Sequence, residues 1–167
     1  MLREDRYRKR MMLGQDGNSL VILLVILAVV FCIFKFIHVV LWMSGMTEVE
    51  LAGAYRENIF NWLNLPANLN TLVTRPWTIV TYMFMHDGVW HFLGNVLWLW
   101  AFGYILQDLT GNRKLIPIFL YGGVAGALVF LLTYNIIPRL PVVGTTLEGA
   151  SAGVMAVAIA TTVLASS

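Results

Sequence analysis

Four long apolar stretches, at about 19–43, 90–108, 115–137 and 149–167, alternate with polar or mixed segments along the 167-residue chain. None shows the two-residue alternation of a membrane β-strand, whose segments run about ten residues. Each stretch therefore predicts a helix. At about 1.5 Å per residue the first extends roughly 36 Å, enough to cross a hydrocarbon core of about 30 Å with some tilt. It is also longer than a signal-peptide apolar region of about 7–15 residues, and no small-x-small cleavage site closes it. It reads as a retained transmembrane helix. The last stretch, of about 19 residues, barely spans.

The segments between these runs differ in kind. Residues 1–18 are polar and contain Gly14 and Gly17, as expected of a short tail. Residues 44–89 mix charges (Glu48, Glu50, Arg56, Glu57) with aromatics (Tyr55, Phe60, Trp62, Trp77). That mixture suits a segment lying in the membrane interface, broken into short pieces by Pro66 and Pro76. Thr110–Lys114 forms a turn, and Pro138 and Pro141 end the third helix and open a loop. The expected organisation is a tail over 1–18 and one membrane domain over 19–167.

Composition narrows the class. With 59% hydrophobic and 12% charged residues, the chain has too few charges for the surface of a soluble domain, where about a quarter of residues are charged. Helices satisfy their own backbone groups in lipid, so an all-α, polytopic membrane protein follows. Five of the eleven Lys and Arg residues lie in the first ten positions. Directly before an apolar span they read as a topology signal rather than a nucleic-acid contact. With Arg113 and Lys114 they place the tail and the 110–114 turn in the cytoplasm. Arg56, Arg75 and Arg139 fall outside. The expected location is an inner or plasma membrane, with the starts of the second and fourth helices near the outer face. Cys32, the single cysteine, supports no internal disulfide.

Polar groups are expensive in hydrocarbon, which singles out a few residues. His91 and Asn95 are four apart and share one face of the second helix. Ser151 lies in the first turn of the fourth, within Gly149-Ala-Ser-Ala-Gly153. An intramembrane ionisable residue invites a functional reading. Each also has a plainer one: the His and Asn could bond a neighbouring helix, and Gly149-x-x-x-Gly153, like Gly122-x-x-x-Gly126 on the third helix, is a helix-packing pattern. Lys35 and His38 read as a snorkelling cation and an interfacial packing residue. Trp98 and Trp100 read as ordinary lipid-facing or core residues.

The combination His86-Asp-Gly-Val-Trp-His91-Phe-Leu-Gly-Asn95, with Gly-Ala-Ser-Ala-Gly two helices later, resembles the rhomboid family of intramembrane serine proteases. The resemblance runs from about Leu20 to Ser167 and covers four helices of a six-helix core. Gly-x-Ser-x-Gly also marks the nucleophile elbow of α/β-hydrolases, but that motif needs a preceding strand; here a Pro-rich loop precedes it. The resemblance implies a cofactor-free, metal-free serine endopeptidase cleaving transmembrane protein substrates in the bilayer. Ser151 is then the nucleophile, and the His91 and Asn95 side chains join the Ser151 N–H in stabilising the oxyanion. His86 supports the local structure, and Gly149 allows close backbone approach. The sequence departs from the family pattern at Trp77-Thr78, where Trp-Arg is common, and at Gln107, where many members have Glu.

The family's dyad takes its base from a histidine on a sixth helix. This chain has His38, His86 and His91 and none after Ser151. The expectation is therefore that residues 1–167 lack the catalytic base and form a poor protease alone. A truncated polypeptide is favoured over a pseudoprotease that binds membrane clients without cleaving them.

Overall fold

A computed structural model describes residues 18–137 and 145–166. The basic tail and the loop holding Pro138, Arg139 and Pro141 lie outside the described residues. The first helix, α1 (Ser19–Met43), begins where Asn18 caps it: its side-chain oxygen accepts from the Leu20 and Val21 N–H groups, each at 3.2 Å. That satisfies donors an α-helix leaves open at its start. Leu20, Leu23 and Leu27 form its only buried stripe, whereas Ile22, Val25, Ile26, Val29 and Ile33 are exposed. So much bare apolar surface is stable only against lipid.

Residues 44–89 fold into short pieces, as Pro66 and Pro76 predict. α2 (Glu48–Tyr55) opens with a capping box between Thr47 and Glu50 and runs into a π-helical turn over Arg56–Phe60. It is followed by α3 (Asn61–Leu63), strand β1 (Leu65–Pro66), α4 (Leu69–Thr74), α5 (Thr78–Thr81) and a 3₁₀ turn over Tyr82–Phe84. Specific hydrogen bonds hold the pieces together. Tyr55 donates to the Phe34 carbonyl at 2.9 Å, Thr81 to that of Leu63 at 2.7 Å, and the Trp77 indole to that of Trp62 at 2.8 Å. The Trp62 and Trp77 rings stack, and the Arg75 guanidinium lies 4.1 Å over Trp62. The cation on this stacked pair is thus Arg75, on the Trp62 side.

Two long helices follow, α6 (Val89–Thr110) and α7 (Leu115–Ile136), and then strand β2 (Thr146–Leu147) and α8 (Ser151–Ala165). α8 packs between α6 and α7, and its contact with α7 is the tightest of the bundle. A Cβ placed on Gly122 would lie 2.2 Å from the Ala156 Cβ, and one on Gly126 2.4 Å from that of Ala152. Gly153 abuts Phe119 in the same way, at 2.7 Å. Backbones this close gain dispersion contacts, which must drive association where lipid is as apolar as the helices. Leu27, Leu99, Leu106, Leu115, Phe119 and Val157 fill the core between α1, α6, α7 and α8.

Among the described residues three helices, α1, α6 and α7, are long and apolar enough to cross a membrane, and α8 is a shorter apolar helix of 15 residues, about 22 Å. The apolar run that begins near Gly149 becomes helical at Ser151. Gly149 has φ +103°, outside the helical region, so the chain is still turning there and the helix opens at Ser151. Gly149-x-x-x-Gly153 is accordingly not a pair on one helix: Gly153 packs from within α8 against Phe119, whereas Gly149 precedes the helix and lies against the His91 ring.

Gln107 lies beneath the start of α1. With its amide oriented to satisfy both ends, its nitrogen donates to Asn18 Oδ1 at 3.1 Å and its oxygen accepts from the Ser19 and Leu20 N–H groups at 3.3 and 3.2 Å. An acceptor at a helix N-terminus is what the open donors require.

Candidate active site

Ser151 owes its position to three segments that meet ahead of α8. β2 pairs antiparallel with β1, Leu65 opposite Leu147 and Pro66 opposite Thr146, and the Ala67 N–H extends the pairing to the Thr145 carbonyl at 2.9 Å. Asn135 at the end of α7 donates to the Ala67 carbonyl at 2.9 Å and fixes β1 from the other side. The chain then swings through Gly149, whose N–H donates to the Tyr82 carbonyl at 2.9 Å. Tyr82 is itself buried, its hydroxyl donating to the Gly123 carbonyl at 2.6 Å. A side chain at Gly149 would be strained by its backbone angle, and its Cβ would lie 2.6 Å from His91 Cε1 and 2.8 Å from Nε2. The His91 imidazole thus rests directly on the Gly149 backbone.

His86 holds the turn from beneath. It is 3% exposed, and its Nε2 accepts from the Ala150 N–H at 3.3 Å and lies 3.3 Å from Asn95 Nδ2. With two donors facing Nε2, the proton belongs on Nδ1, which points at the Phe84 carbonyl 3.4 Å away. A second proton would have to replace an acceptor by a donor. Burial, and then the neighbouring His91, push the His86 pKa down to about 4. The two rings meet edge-on with centroids 5.1 Å apart, and Phe92 closes the other side at 5.6 Å. His86 is a neutral structural acceptor.

Asn95 is nearly buried and donates to the His91 carbonyl one turn back at 3.0 Å. It lines, with Ser151, a groove of about 540 Å³ between α6 and α8, walled by Trp98, Phe102, Met155 and Ile159. Trp98 and Phe102 stack at 5.3 Å along this wall, so Trp98 has a more particular place than its sequence suggests. Ser151 is exposed to the groove, and no side chain caps α8. The open N–H groups of its first turn can therefore meet negative charge. Among the described residues no hydrogen bond joins the Ser151 hydroxyl to a histidine.

A second cavity, of about 610 Å³, adjoins β2 and is lined by His38, Tyr55, Arg56, Asn64, Asp87 and Glu148. Lys35 reaches this region from α1 and donates to the Asp87 carbonyl, with its ammonium 4.0 Å from the Asp87 carboxylate. His38 packs edge-on against Tyr55 at 5.2 Å. Burial first, and then the carboxylates of Asp87 and Glu148, push the Tyr55 hydroxyl up to about 12. Sequence reasoning passed over Glu148. Its signal was its isolation, as the one charged residue after Arg139.

Taken together, these elements define a polytopic α-helical membrane protein with a serine at the mouth of a groove and a His–Asn pair on the facing helix. The rhomboid domain model matches residues 73–167, more than half of the chain and all of α5 to α8. The chain belongs to the rhomboid family, which is known for serine intramembrane proteases. Comparison with the curated proteins gives no match.

Proposed function

We propose that the protein is an intramembrane serine endopeptidase that cleaves peptide bonds in or near transmembrane segments. The observation that carries this reading is the shared groove: Ser151 and Asn95 line it together, and His91 lies on Gly149 two residues before the serine. The Ser151 hydroxyl oxygen attacks the scissile carbonyl carbon while its proton passes to a base. The carbonyl oxygen takes up the negative charge and is met by the Ser151 N–H and the side chains of His91 and Asn95, the Asn95 amide giving up its bond to the His91 carbonyl to do so. Each such donor is worth about 2.7–4 kcal/mol at the transition state. The C–N bond then breaks, the amine leaves with the proton, and water releases the acyl group from Ser151. No cofactor is required.

His86 is unsuited to be the base, because its Nε2 is engaged by Ala150 and its protonation is opposed. His91 serves the oxyanion. The base is then neither of the two histidines nearest the serine. The apolar walls of the groove suit a substrate's transmembrane segment, and the charge distribution supports a cytoplasmic N-terminus with the serine toward the outer face. In that arrangement residues 44–89 lie in the outer interface.

The test is covalent labelling of the full-length protein in a bilayer with a fluorophosphonate, read by mass spectrometry. A single adduct on Ser151, lost in Ser151→Ala together with cleavage of a model transmembrane substrate, is the expected result. Substrate binding that survives Ser151→Ala, with no adduct and no turnover in the wild type, would instead identify a client-binding pseudoprotease.

A further inference from the structure

We propose that Glu148 is a positioning residue for Ser151: its carboxylate clasps segment 44–89 and the approach to α6, and so fixes the turn that carries the nucleophile. The proposal rests on the protease reading above. Glu148 uses both oxygens. Oε2 accepts from Asn64 Nδ2 at 2.9 Å and Oε1 accepts from the Asp87 N–H at 3.2 Å. These partners lie 84 and 61 residues away in sequence and belong to different parts of the fold. Asn64 precedes β1, the strand that pairs with β2. Asp87 follows His86 and leads into the helix that bears His91 and Asn95. One carboxylate therefore links the three segments from which the site is built.

The need for a clasp follows from its neighbour. Gly149 at φ +103° is a swivel with no side chain to restrict it. On its C-terminal side the chain is held by the Ala150 N–H on His86, and at Gly149 itself by the Tyr82 carbonyl. On its N-terminal side β2 is only two residues long. Glu148 adds a side-chain anchor on that side. Hydrogen bonds to an ionised acceptor are roughly twice as strong as neutral ones. A plain solvated carboxylate would have at least one oxygen in water; here each has a protein donor. A reacting group misplaced by about 1 Å loses on the order of a hundredfold in rate.

The experiment measures fluorophosphonate labelling of Ser151 in full-length protein reconstituted in phosphatidylcholine and phosphatidylglycerol vesicles, separating the maximal rate from half-saturation. Glu148→Ala is expected to lower the maximal rate roughly ten- to hundredfold, with half-saturation within about twofold of wild type. A merely stabilising residue would reduce the labelled fraction and leave the rate of the folded protein unchanged. The isosteric Glu148→Gln covers the case in which Glu148→Ala does not fold: it replaces the charged acceptor by a neutral amide, weakening both bonds, and should slow labelling about tenfold. Combining it with Asn64→Asp reverses the polarity of the pair while keeping both bonds, and should recover part of that loss. Hydrogen exchange at the Gly149 and Ala150 amides should accelerate in Glu148→Ala. Labelling rates within twofold of wild type in both single variants would overturn the proposal and leave the protease reading standing. A wild type that never labels removes the protease reading instead, and unchanged amide exchange then removes the clasp as well.

Discussion

Protonation of His86 should loosen the fold in a pH window set by its burial. The imidazole is an acceptor for the Ala150 N–H, and its pKa falls from 6.5 to about 4 on folding. A depressed folded-state pKa means that the unfolded chain takes up the proton first. The stabilisation from neutral His86 is complete above pH 6.5, declines as pH falls, and is fully lost once pH passes about 4. One pKa unit is worth about 1.4 kcal/mol, so the span between the two values amounts to about 3 kcal/mol. Near pH 5.5 the loss is about 1.4 kcal/mol. The measurement is equilibrium unfolding in detergent micelles at pH 7, 5.5 and 4, on wild type and His86→Gln. Glutamine offers an acceptor without titrating here, so subtracting its profile removes the contributions of His38, His91 and the carboxylates. His86→Gln is expected to be less stable at pH 7 and to converge on wild type by pH 4. Parallel profiles for the two proteins would refute the assignment of His86 as a buried neutral acceptor. So would a nitrogen chemical shift showing charged His86 at pH 5.5.

Two further substitutions probe the same architecture. Gly149→Ala combines a left-handed backbone angle with a Cβ 2.6 Å from the His91 ring; it should lower stability by about 1–3 kcal/mol and displace His91, seen as slower Ser151 labelling in the protein that still folds. Gly126→Leu would drive a side chain into Ala152, already 2.4 Å from a modest Cβ, and should cost about 1–3 kcal/mol or more in the same unfolding assay; a neutral result would mean that α7 and α8 separate more easily than their packing indicates.

The parts of this protein legible in its sequence are those whose hydrogen bonds close locally. The apolar run at 19–43 and the helix Ser19–Met43 coincide because a membrane helix satisfies its own backbone groups and needs only length and hydrophobicity. The pieces of residues 44–89 follow from their prolines, and Gly122 and Gly126 mark the α7–α8 contact by the absence of side chains. The spacing of His91 and Asn95 placed them on one helical face, the cost of polar groups in hydrocarbon singled out Ser151, and the family resemblance added His86. The exact start of α8 was not legible, because an apolar run does not show where a glycine turns left-handed. Tertiary structure alone decided what surrounds the serine. The pairing of β1 with β2, the acceptor role of His86 beneath Ala150, the capping of α1 by Gln107 and the reach of Glu148 to Asn64 all join residues distant in sequence. Such contacts have no period to read. They exist because buried donors and acceptors must find partners wherever the folded chain brings them.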